Sequence, residues 1–168
     1  MVQITSSTLG SPGTFDITSI PATYNDLLIV LVARGARVAA SDLIAVRFNN
    51  DSGANYDTQE TVGASTTVSG VRQSGVTAAN VGWVPASSAT ANYFSSCQMW
   101  IAGYANGSNI KTINTMCQAW EGAASNLSSE AYVAQWNGTP AAINRVTVFG
   151  QTTANFLAGS SIRVYGIT

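Results

Sequence analysis

Asp26-Leu27-Leu28-Ile29-Val30-Leu31-Val32-Ala33 is the most apolar run in the chain, and its reading decides the fold. Seven consecutive apolar residues with branched side chains, preceded by the turn-forming stretch from Pro21 to Asn25, suit a strand buried on both faces. The run is predicted as the central strand of a sandwich.

Working outward, Thr14 to Thr18 reads as a short strand with Phe15 and Ile17 on one face. Leu43 to Phe48 alternates Ile44, Val46 and Phe48 against Ala45 and Arg47, then ends in Asn49-Asn50-Asp51-Ser52-Gly53, a dense turn signal. Tyr56 to Val62 resumes a strand. Gly63 to Ala79 is weakly patterned and reads as an excursion with one or two short edge strands. Val81 to Val84 stops at Pro85, and Ala86 to Asn92 is a small-residue loop. Tyr93 to Ala102 and Ile110 to Trp120 are two long strands, and Asn106-Gly107 between them signals a type I′ hairpin. Glu130 to Trp136, Ile143 to Phe149 and Ser160 to Ile167 complete the set. Strands recurring every ~8–15 residues with turn chemistry between them predict an all-β fold, an antiparallel β-sandwich forming a single domain over residues 1–168.

Folding back at Asn106-Gly107 sets Cys97 opposite Met116, one step from Cys117. Two cysteines are too few for a zinc site. Two buried free thiols are expected in a reducing compartment, while a one-residue bulge would bring the pair into register for a disulfide.

Composition narrows the function. Charged residues make up 9% of the 168-residue chain, against about 25% in an ordinary soluble domain. Lys111 is the only lysine and histidine is absent. A neutral surface rich in hydroxyls and amides costs less to desolvate than an ionic one, and lacks the repulsion that keeps monomers apart. Both effects point to a protein that works against other protein; a secreted lectin-like glycan-binding module is the competing reading. The net charge of −1, with seven scattered cations, argues against nucleic acid. No apolar run approaches the ~20 residues needed to span a membrane. Met1 to Gly10 lacks the basic start and apolar stretch of a signal peptide, so synthesis and folding in a cytoplasm are expected.

The residue inventory favours no catalysis and no metal. Without histidine, the Ser-His-Asp and Cys-His arrangements are gone. Paired carboxylates remain, and Glu121 with Glu130 flank one loop, yet most of the eight acids sit at strand starts or turns, where they cap backbone N–H groups. The polar stretch Asn49 to Asp57 has too few acids for a calcium loop and reads as a tight turn whose side chains bond their own backbone. Trp83, Trp100, Trp120 and Trp136 could form a sugar-stacking platform, although aromatics at strand positions serve equally as core or interface anchors. Arg34, Arg37 and Arg47 suit an interface, because a guanidinium binds carbonyls and carboxylates in a fork and desolvates more readily than an ammonium. The interface candidates are therefore Arg34, Arg37, Arg47, Trp100 and Trp136.

Three stretches carry a resemblance. Phe15 to Leu27, with Ile20-Pro21-Ala22-Thr23-Tyr24-Asn25-Asp26-Leu27 at its centre, resembles a strand–turn–strand segment of small tailed-bacteriophage virion proteins. Arg47 to Tyr56 resembles the Phe-Asn-x-Asp-x-Gly-x-Asn-Tyr loop of the same proteins, and Gly159 to Ile167 resembles their closing strand. The resemblance implies a β-sandwich on the virion surface, commonly a jelly roll and often a homotrimer, with no enzymatic activity and no cofactor. The expected role is capsid decoration (a cement protein bound to the major capsid protein or other virion proteins); the alternative is a receptor-binding tail-fibre tip.

Overall fold

The structure, a computed structural model, describes residues 1–120, 127–152 and 155–168, with the side chain of Trp120 outside that description. Twelve strands and no helix occur among the described residues: β1 (Val2–Thr8), β2 (Phe15–Ile17), β3 (Asp26–Ala33), β4 (Ser41–Phe48), β5 (Tyr56–Ala64), β6 (Thr67–Val76), β7 (Ala79–Pro85), β8 (Ser95–Ile101), β9 (Lys111–Trp120), β10 (Leu127–Trp136), β11 (Val146–Gly150) and β12 (Ser161–Ile167). They form two antiparallel sheets packed face to face. The larger has eight strands in the order β1-β12-β3-β8-β9-β10-β5-β6, and the smaller has four in the order β2-β11-β4-β7.

The decisive run is β3, and it lies inside the large sheet between β12 and β8. Its two faces are unequal, contrary to the expectation of double burial. Leu27, Ile29, Leu31 and Ala33 are completely buried, whereas Leu28, Val30 and Val32 are half-buried. An antiparallel sheet needs cover on only one face. The small sheet supplies that cover, and the second apolar row of β3 is left on the outside.

The core fills the space between the layers. Leu27, Ile29, Leu31, Met99, Ile101 and Ile113 of the large sheet meet Phe15, Ile44, Val46, Phe48, Val146 and Val148 of the small one. Phe15 packs on Phe156 at 5.9 Å, and Phe48 meets the edge of Trp136 at 5.8 Å. Beyond this overlap the large sheet continues as a ribbon. The region from Gly63 to Ala79, expected to hold short strands, contains the ten-residue β6, which forms one margin of the large sheet with most of its residues exposed. The opposite margin, β1, was not anticipated, since Val2 and Ile4 are its only large apolar residues.

The β8–β9 link departs from a type I′ turn. Gly103 takes the left-handed conformation with φ of 57°, while neither Asn106 nor Gly107 has positive φ. Lys111, buried at 1% exposure, donates from Nζ to the carbonyls of Asn106 and Asn109 and ties the loop down. The register is thereby one residue longer than Asn106-Gly107 implies. Cys97 stands directly opposite Cys117, and the two form a disulfide in place of the two free thiols. Gly82 of β7 lies against this bond with φ of 150°; a Cβ there would approach Cys117 Sγ to 2.2 Å, so only glycine fits.

Candidate functional site

Because side chains alternate along a strand, fixing the core phase of β3, β8, β9 and β10 also fixes what faces away from it. The registers align these outward residues in three rows across the four strands. One row runs Val32, Ser96, Gln118, Ser129; the next Val30, Gln98, Met116, Ala131; the third Leu28, Trp100, Asn114, Val133. None of the twelve is charged: seven are apolar and five carry a neutral amide or hydroxyl. Charges border the patch: Arg163 stands on β12 directly beside Val30, Arg72 on β6 beyond Gln59, Asp26 at the start of β3 in the same phase, and Asp57 on β5 opposite Gln135.

The face is open and apolar at its centre. Met116 is 63% exposed, Val133 52% and Trp100 37%. Beside Trp100 lies a groove of about 270 Å³, floored by Leu28, Ala131 and Val133 and flanked by Gln98 and Asn114. A second hollow of about 470 Å³ on the other side of Met116 is bordered by Ser96, Gln118, Leu127 and Ser129. An aromatic and a thioether side chain set among amides resemble the core of a protein–protein contact, where Trp and Met are enriched and charge is depleted.

Among the described side chains singled out from sequence, Trp100 alone lies on this face. Trp136 points inward at 6% exposure, and its indole Nε1 donates to Asp51 Oδ2 at 2.6 Å. Trp83 sits half-buried on β7 of the other sheet, and the Trp120 side chain lies outside the described residues, so the described tryptophans do not share one platform. Arg34 is not a surface arginine. At 6% exposure its guanidinium donates to the carbonyls of Thr90 and Ala89 at 2.6 Å, with longer bonds to Ser87 and Tyr93. It organises the loop after β7, and an interface role for it or for Trp136 does not fit their burial. Arg37 is half-buried before β4. Arg47, near the other end of β4, donates from Nε to the Thr77 carbonyl and lies 4.9 Å over the Phe149 ring. The three arginines thus form no common patch.

The polar stretch Asn49 to Asp57 is internally bonded. Asp51 Oδ1 accepts from the Gly53 amide at 2.8 Å, and its two oxygens also receive Asn55 Nδ2 and Trp136 Nε1. Burial raises the Asp51 carboxyl, but the hydrogen bonds from Trp136, Asn55 and Gly53 outweigh it and hold the group below the ordinary carboxylate range. The nearby Tyr56 hydroxyl, which accepts from Phe48 N and donates to the Asp51 carbonyl, is pushed by burial up to about 12.

Glu130, one of the two acids flanking the β9–β10 loop, is buried at 2% exposure on the inner face. Its Oε2 accepts from the Trp83 amide and its Oε1 from Ser128 Oγ, both at 2.9 Å. Glu121 lies outside the described residues. Burial, with the Glu130 and Glu60 carboxylates nearby, raises the Tyr132 hydroxyl far above its usual range.

Sequence reading missed Met116, Val133, Gln98 and Asn114. The signal was available in Ile110 to Trp120, where the residues out of phase with the core (Thr112, Asn114, Met116, Gln118) include no lysine, arginine or acid. An outward strand phase that solvates a monomer normally carries such charges. No protein-family model, curated protein or solved structure matches the chain.

Proposed function

We propose that the chain is a structural protein of a tailed-phage particle, a capsid decoration (cement) protein held on the virion surface by protein–protein contact and assigned no reaction. The observation that carries this reading is the centre of the large sheet's outer face, where twelve aligned residues of four strands carry no charge. Area and shape, rather than ion pairing, are what such a face offers a partner.

Three further features support it. The strand order suits a jelly roll: β1-β12-β3-β8 lies against β2-β11-β4-β7, and the hairpin partners β5-β6 and β9-β10 are additions that widen one layer. Two of the stretches that resemble virion proteins meet each other, since the Tyr24 ring fills the space where a Cβ on Gly166 would stand, and the Asn25 amide donates to the Ile167 carbonyl at 2.8 Å. These motifs therefore serve as fold determinants. The disulfide suits a protein that ends on a particle surface, an environment in which such bonds persist.

The test is direct. Purified protein added to undecorated capsids is expected to co-sediment saturably and to raise the temperature of capsid disruption; absence of binding at micromolar concentration overturns the reading. One observation favours a second reading, a glycan-binding tip: Trp100 is exposed with Asn114 directly opposite, an aromatic plane beside an amide. Binding of the protein to host cells that is lost in Trp100→Ala, with no affinity for capsids, selects it.

A further inference from the structure

We propose that the outer face of the eight-stranded sheet closes against the same face of a second copy of this chain, around a two-fold axis. The inference deepens the assembly reading above by naming the occupant of the face.

Size is the first argument. Eight strands about 4.8 Å apart, each of some seven residues rising about 3.3 Å, make a face of roughly 34 Å by 23 Å, or about 780 Å². A stable interface buries about 800 Å² on each partner. The face therefore supplies a full interface from one surface.

Chemistry chooses the occupant. A surface with net charge repels its own copy and calls for a partner of opposite sign, whereas the twelve central residues carry no charge and the outward charges around them, Asp26 and Asp57 against Arg163 and Arg72, balance. The polar groups present are chiefly the amides of Gln98, Asn114 and Gln118, and an amide both donates and accepts. Such groups satisfy one another across identical surfaces. Met116 and Trp100 give the centre an adaptable and a rigid apolar anchor. Of the two cations in the same rows, Arg163 stands on β12 next to Val30 and Arg72 on the β6 margin. Twisted sheets stack face to face at about −30°, so the contact is a second sandwich layer built between chains. A trimer requires one patch to meet a different patch; a self-complementary face closes on a two-fold. The structure thus points to a dimer where the resemblance implies a trimer.

Sedimentation equilibrium of the whole chain between about 1 and 100 µM is expected to give a mass twice 17.4 kDa. Met116→Arg and Val133→Arg, both at exposed positions, are expected to weaken association at least 100-fold with an unchanged circular-dichroism spectrum and melting temperature. Val71→Lys on β6, in register with Glu60 and so in phase with the opposite side of the sheet, is expected to leave the dimer intact. A wild type that stays monomeric at 100 µM overturns the proposal, as does a dimer that survives both arginine variants. The two readings separate cleanly: a monomer that binds capsids removes the dimer and keeps the cement reading, while a dimer that ignores capsids does the reverse.

Discussion

The Trp136 indole donates to the Asp51 carboxylate at 2.6 Å, joining the end of β10 to the turn that follows β4, 85 residues away in sequence. The contact seals the core beside Phe48, whose ring meets the indole edge. Asp51→Ala leaves the indole N–H and the Gly53 amide without their acceptor and is expected to cost about 1–3 kcal/mol, read from urea denaturation. The pH dependence follows from the same bond. A carboxylate held below its unfolded value of 3.8 contributes stability that is complete above that pH and is lost as pH falls through the folded value. Asp16, held low chiefly by its hydrogen bond from Arg145, acts in the same direction. The melting temperature is expected to be level from pH 7 to about 5 and to fall below about 4, with a shallower fall in Asp51→Asn.

Trp100 and Trp136 are the same residue type on neighbouring parts of one sheet, yet their substitution should differ sharply. Trp136→Ala opens a cavity against Phe48 and is expected to cost about 3–5 kcal/mol. Trp100→Ala, at a position 37% exposed, is expected to cost under about 1 kcal/mol and to act on association instead. Thermal denaturation beside sedimentation of the two variants checks both expectations.

Arg34→Ala removes the cation that gathers the carbonyls of Ser87, Ala89, Thr90 and Tyr93. A loss of about 3 kcal/mol is expected, because the carbonyls lose a charged donor and the loop its anchor. Amide exchange should speed up across residues 87–94. Arg37→Ala, three residues on, is expected to stay within about 0.5 kcal/mol of the wild type.

Reduction of Cys97–Cys117, or the double change to alanine, frees a closure spanning 20 residues of sequence. The loop-entropy relation gives about 3 kcal/mol of lost stability, measurable as a shift in urea midpoint between oxidised and reduced protein. Retention of the wild-type midpoint after complete reduction would show that the β8–β9 ladder and the Lys111 anchor hold the hairpin alone.

The strands were legible in the sequence wherever burial imposed a pattern. β3, β4 and the long pair β8 and β9 follow from apolar runs and alternation, because a core strand must present the same chemistry at every second residue. β1 and β6 were illegible or blurred for the converse reason: both are margins with largely exposed side chains, so burial selects little in Val2–Thr8 or Thr67–Val76. The site was half legible. Trp100 announced itself as a large aromatic, but Met116 and Val133 matter through what is missing around them, and that shows only once the registers set four strands side by side. Arg34 and Arg37 look alike in sequence; only the fold turns one inward onto a ring of carbonyls. The disulfide hinged on a single residue of loop length, which a Lys111 side chain settles and local turn chemistry does not.

The uncapped margin of β6 has a practical result for anyone handling the protein. Ten residues of backbone there offer hydrogen-bond groups along an edge that carries one cation, Arg72, and no proline. Edges of this kind template fibre growth, and nature usually guards them with lysines or kinks. Arg72 and the left-handed bend at Gly75 are the two guards present. Concentrated salt shields the first of them within a few ångströms, so brine-rich storage is the condition under which the solution should gel earliest.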